Sequence, residues 1–83
     1  MFSRELFGQR LKNIRKEHGE TQEQLGKLLG VRKSQISEIE KGNASTTLEK
    51  VAIICEYYNI SADYLLGMTD IPEPANWTSE EPT

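Results

Sequence analysis

The chain has 83 residues and one cysteine, enough for one small domain near the lower size at which a core suffices without staples. A single cysteine excludes an internal disulfide and a cysteine-rich metal site, and fits a reducing compartment. The net charge of −3 is unevenly placed: all ten Lys and Arg lie in residues 1–50 with seven acids, while residues 51–83 hold six acids and no base. An anionic partner is therefore not excluded, but it would have to meet one face of the N-terminal half. No apolar run approaches a membrane span, and no charged start followed by an apolar stretch marks a secretion signal. A soluble, intracellular protein is expected, and the glycosylation patterns at Asn43-Ala44-Ser45 and Asn76-Trp77-Thr78 are read as chance.

Five helices and no strand are predicted. Ser3 caps a first helix to about His18, with Phe7, Leu11 and Ile14 on one face and Gly19 ending it. Thr21 and Gln24 form a capping-box pattern for a short second helix, with Leu25, Leu28 and Leu29 inward and Gly30 closing it. The third helix lies in "VRKSQISEIEKG", Val31 to Gly42, with Ile36 and Ile39 as a narrow apolar stripe. After a polar loop, Thr46 or Thr47 caps a fourth helix with Leu48, Val51, Ile54, Cys55 and Tyr58 on its apolar face. Asn59-Ile60 makes a turn, and Ser61 caps a fifth helix carrying Leu65 and Leu66 into the core before Gly67. From Met68 on, prolines and acids predict an acidic tail, flexible or docked through Trp77.

The second and third helices are joined by one tight turn at Gly30-Val31, so they cross at close range and need a small residue where the backbones meet. Counting from Gln22, the fifth and ninth residues are Gly26 and Gly30. Positions four, ten, fifteen and eighteen are the apolar Leu25, Val31, Ile36 and Ile39. This is a helix-turn-helix layout over about residues 21–41. Together with "RLKNIRKEHGETQEQLGKLLGVRKSQISEIEKG" and "TLEKVAIICEYYNISADYLLG", it resembles the Cro/phage-repressor (XRE, lambda-repressor-like) helix-turn-helix family over about residues 6–67. The resemblance implies an all-α, compact five-helix DNA-binding domain (residues 1–67) with a short tail (68–83) and the third helix, about 32–41, in the major groove of an operator.

Helical geometry bears on the same face. At 100° per residue Arg32, Ile36 and Ile39 cluster on one side, while Lys33, Ser34, Ser37, Glu38 and Lys41 fall on the opposite arc, with Gln35 at one margin. The resemblance puts Lys33 and Ser34, with Ser37 and Glu38 one turn later, at base-reading positions. Lys33 can donate to guanine, and Glu38 can accept from cytosine or reject wrong sites by repulsion. Gln22 matches the family's phosphate-contacting glutamine; Arg15, Arg32, Gln35, Lys41 and Asn43 are further phosphate candidates. Glu40 turns about 40° from Ile36, toward the core, where a lone charge is costly. The resemblance pairs it with Arg15, which could also approach a phosphate.

Other residues carry less. His18 has no ligand cluster around it, so no metal is expected; Cys55 reads as a buried free thiol. Glu38 and Glu40 point to different sides and no nucleophile–base arrangement exists, so no enzyme activity and no cofactor are expected. Ile53, Tyr57 and Tyr64 fit either extra core and isolated surface aromatics, or a two-fold dimer patch that would set two third helices about 34 Å apart. The expectation is a cytoplasmic, bacterial or phage-encoded regulator, acting as a repressor on a palindromic operator and dimeric at least on DNA. Contexts that fit are a phage repressor, a restriction controller or an antitoxin. The alternative is a protein–protein adaptor that keeps the fold without DNA binding. No membrane contact or small-molecule ligand is indicated.

Overall fold

The structure is a computed structural model, and it describes residues 2–74. Among the described residues there are five helices and no strand: α1 (Arg4–Glu17), α2 (Gln22–Leu29), α3 (Lys33–Glu40), α4 (Leu48–Tyr58) and α5 (Ala62–Leu65). Their starts follow the caps written in the sequence. The Ser3 hydroxyl accepts from the Leu6 N–H at 3.1 Å, and Thr21 and Gln24 close both bonds of a capping box at 3.1 and 2.8 Å. Of the two threonines before α4, Thr47 is the cap, accepting from the Lys50 N–H at 3.2 Å. Asn59 ends α4 in the left-handed conformation, φ +55°.

The core is contiguous and draws on all five helices: Phe7, Leu11 and Ile14 from α1, Leu25 and Leu29 from α2, Ile36 and Ile39 from α3, Ile54 and Tyr58 from α4, and Leu65 from α5. Helix α3 packs mainly on α1 and α2, while α4 packs on α2 and α5. Two glycines allow the close approaches to α3. A Cβ on Gly26 would stand 2.7 Å from the Val31 carbonyl oxygen, and one on Gly8 would strike the Ile39 carbonyl and come within 2.8 Å of Glu40 O. Gly26 was expected at the crossing; Gly8 was not singled out.

Two leucines depart from expectation. Leu28 is 37% exposed, because the buried arc of α2 runs from Leu25 through Leu29 toward Gly26, where α3 presses closest, and Leu28 lies on the other side. Leu48, the first residue of α4, is 86% exposed. Cys55 is half-buried rather than buried.

The first residues after Gly67 are docked on the helices. Arg10 lies over the Tyr64 ring, 4.1 Å from its centroid, and donates to the carbonyls of Tyr64 and Thr69 and to the Asp70 carboxylate. The Ser61 N–H donates to Pro72 O at 2.8 Å, so residues 69–72 are bonded back onto α1 and the start of α5. Trp77 and the Asn76 pattern lie outside the described residues.

Candidate nucleic-acid interface

The outward face of α3 begins with three exposed residues, Lys33, Ser34 and Gln35, followed by half-exposed Ser37 and exposed Glu38. The helix starts without a side-chain acceptor at its cap, because Arg32 has none to offer. Gln35 compensates in part: its side-chain carbonyl accepts from the Arg32 N–H at 3.4 Å. This takes up the Gln35 oxygen and leaves its amide group as the donor for a ligand. The Arg32 guanidinium is exposed beside the first turn.

At the other end of α3, Glu38 gathers two of the cationic or donor candidates. Asn43 Nδ2 donates to Glu38 Oε1 at 3.3 Å, and Lys41 Nζ stands 3.9 Å from Oε2. Both carboxylate and ammonium are about half exposed or more, so the pair adds little stability and either partner can exchange it for another ion. Ser45 faces the same shallow cleft as Ser34, Gln35 and Glu38. Its position in the loop carried no periodic signal, and sequence reasoning passed over it.

Beneath this face lies a buried ionic brace. Arg15 Nε and Nη2 donate to Glu40 Oε2 and Oε1 at 2.7 and 3.0 Å, a two-pronged geometry that suits a planar guanidinium. Both side chains are nearly closed to solvent, at 8% and 2% exposure. The third Arg15 bond, from Nη1, goes to the Glu20 carbonyl at 2.7 Å. The bond to Glu40 raises the Arg15 guanidinium further above its ordinary value. Three of the five Arg15 N–H donors are committed inward, where they tie α1, the α1–α2 turn and α3 together. Gln22 joins the same brace, its Nε2 donating to Glu40 Oε1 at 3.0 Å from the first residue of α2. The glutamine is thereby held half-exposed beside the free N–H groups of the α2 start.

Glu20 was not singled out in the sequence, yet it links this brace to α4. The Tyr57 and Tyr58 hydroxyls both donate to its carboxylate, Tyr58 at 2.6 Å. These two bonds hold the Glu20 carboxyl below its ordinary range, the Tyr57 bond most. Burial, and then the bond to Glu20, push the Tyr58 phenol well above its ordinary value. His18 Nδ1–H donates to the Ile14 carbonyl at 2.9 Å, and its ring centroid lies 4.8 Å from that of Tyr58.

The three residues offered as a dimer patch do not form one free apolar surface. Ile53 and Tyr57 are exposed on α4, but the Tyr57 hydroxyl is engaged by Glu20, and Tyr64 is half-buried under Arg10. The more exposed large apolar side chains are Leu48, Met68 and Ile71. Burial raises the Cys55 thiol, which leaves it poorly suited to redox chemistry at neutral pH. Among the described residues, no three or more His, Cys, Asp or Glu side chains are grouped to hold a metal ion, and no helix is long and apolar enough to cross a membrane.

Comparison with known proteins places this arrangement. A family model described as HTH_3, helix-turn-helix, matches residues 11–65. The chain is 39% identical over 69 residues to the uncharacterized HTH-type transcriptional regulator YobD of Bacillus subtilis (strain 168), covering 83% of this chain and 62% of YobD. It is also 39% identical over 61 residues to the uncharacterized HTH-type transcriptional regulator YazB of the same organism, covering 74% of this chain and 88% of YazB. The P22 c2 repressor, crystallised in complex with a synthetic operator, superposes with a TM-score of 0.71 at 31% identity, over 77% of this chain and 97% of that one. From the turn glycines, the α2–α3 crossing and these matches, the chain belongs to the HTH_3 helix-turn-helix family, of the Cro/phage-repressor (XRE) type.

Proposed function

We propose that this chain is a sequence-specific DNA-binding transcriptional regulator, a repressor that binds a palindromic operator as a homodimer with α3 in the major groove. The observation that carries the reading is the row of Lys33, Ser34, Ser37 and Glu38, turned outward on a helix whose inward side is fixed by Ile36, Ile39 and the Arg15–Glu40 pair. Lys33 and Ser34 read base edges from the first turn of α3, and Ser37 and Glu38 read from the next. Gln22, Arg32, Gln35, Lys41 and Asn43 contact phosphates and set the register. On DNA, Lys41 and Asn43 exchange the Glu38 carboxylate for phosphate oxygens, which frees Glu38 to accept from a cytosine amine. The homodimer uses the α4 face around Ile53 and Tyr57, and the protein works in the cytoplasm without a cofactor.

A salt titration of duplex binding tests this reading. Affinity should fall steeply as salt rises, with a log–log slope of about −0.9 per phosphate neutralised. Lys41→Ala should weaken binding to all sequences alike and make that slope shallower by about 1. Lys33→Ala should cost about 1–3 kcal/mol on the preferred site and relax the base preference at one position. Affinity that ignores salt, or no duplex binding at all, would favour a protein–protein adaptor on the same fold.

A further inference from the structure

Glu20 poses an electrostatic problem for a DNA-binding chain. It stands two residues before Gln22, so its carboxylate belongs to the segment leading into the helix start that is read here as a phosphate contact. An anion free to swing there would repel the DNA backbone and cancel part of the positive end of the α2 dipole. Its backbone is fixed, because the Glu20 carbonyl accepts from Arg15 Nη1. Its side chain would still be free to choose between solvent, the DNA side and α4.

The structure directs it to α4. Tyr57 and Tyr58 are sequence neighbours whose rings lie 4.8 Å apart and steeply inclined, at 76°, so that both hydroxyls converge on the one carboxylate, each taking a different oxygen. Tyr58 is buried and Tyr57 half exposed, so one partner is anchored in the core and the other closes the bond from outside. Helix α4 packs on α2 and α5, whereas α3 packs mainly on α1 and α2, so the tyrosines are carried by a helix other than the reading helix.

We propose that Tyr57 and Tyr58 are positioning residues for DNA binding: their hydroxyls pin the Glu20 carboxylate to α4 and keep it off the phosphate path at the start of α2. The proposal rests on the DNA-binding reading and adds a pair of residues, on a helix remote from the bases, that sets the field at the phosphate contact. The role is electrostatic, so removing the charge must undo the damage done by removing its restraints. A structural tie between α4 and the α1–α2 turn would behave oppositely, since losing Glu20 would then harm binding as much as losing the tyrosine hydroxyls.

The test is affinity of the full chain for a random-sequence duplex of about 20 base pairs at about 50 mM salt, where phosphate contacts dominate. Y57F/Y58F keeps both rings and should weaken binding about threefold to tenfold, as expected for a carboxylate released within several ångströms of a phosphate. The deficit should shrink as salt approaches about 0.3 M and screening shortens. E20Q alone should bind within about twofold of wild type, and E20Q added to Y57F/Y58F should restore that level. Should Y57F/Y58F fail to fold by circular dichroism, Y57F alone carries the same test with a smaller loss that E20Q must again rescue. Wild-type affinity in the tyrosine variants, or a loss that E20Q does not rescue, overturns the proposal while leaving DNA binding intact. A wild-type chain that shows no salt-dependent duplex binding overturns the DNA-binding reading itself, and this proposal with it.

Discussion

Glu40→Ala is expected to lower the unfolding free energy by about 3–5 kcal/mol, because it leaves the Arg15 guanidinium buried without its counter-ion. A domain of this size has in all about 4–12 kcal/mol to lose, so the variant should be close to unfolding at 37 °C. The loss has two parts. The Arg15 prongs at 2.7 and 3.0 Å lose their acceptor, and Gln22 Nε2 loses the oxygen that holds it at the start of α2. DNA affinity should therefore fall even at temperatures where the variant is folded. The double replacement Arg15→Met/Glu40→Leu removes both charges and should recover most of the stability, since apolar pairs of similar volume replace buried ion pairs at little cost. It should not recover DNA binding, because Gln22 stays untethered. Denaturant unfolding of the three proteins measures this. A Glu40→Ala variant as stable as wild type, with unchanged DNA affinity, would make the brace irrelevant.

Gly8→Ala comes next among the effects on stability. The added methyl would meet the Ile39 and Glu40 carbonyls, which are backbone and cannot rotate aside, so α1 and α3 must move apart. Overpacking of this kind costs about 1–3 kcal/mol, and here it should outweigh the roughly 1 kcal/mol that alanine's helix propensity returns. Separation of the two helices also strains the Arg15–Glu40 bonds, which span the same contact. The same denaturant measurement applies: a variant more stable than wild type would show that the α1–α3 contact has slack.

The contrast between Gly26 and Gly8 shows what the sequence can carry. Gly26 was legible because its partner is a few residues away, across a turn whose length forces a close crossing. Gly8 lies in α1 and its partners are in α3, so no local pattern marks it. Four of the five helices were legible for the same reason as Gly26: Ser3, Thr21, Thr47 and Ser61 each cap through a hydroxyl that bonds an N–H three residues on. Leu28 and Leu48 were misplaced because their helices' apolar stripes are wider than the arcs that neighbouring helices cover. Glu20 was missed because polar residues in a turn are ordinary; its meaning lies in two hydroxyls 37 and 38 residues away. The outward row of α3 was readable from 100° periodicity. That three of the Arg15 N–H groups are engaged by Glu40 and the Glu20 carbonyl became visible only from the three-dimensional bonds.

Sequence-specific reading of DNA by α3 is tested most directly by selecting bound duplexes from a random pool with the wild-type chain. The account predicts enrichment of a two-fold symmetric motif, with half-site centres about 10 base pairs apart. It also predicts that Lys33→Ala selects a motif relaxed at one position in each half-site. A pool that emerges with no enriched motif, or a motif unchanged by Lys33→Ala and Ser34→Ala together, would contradict it.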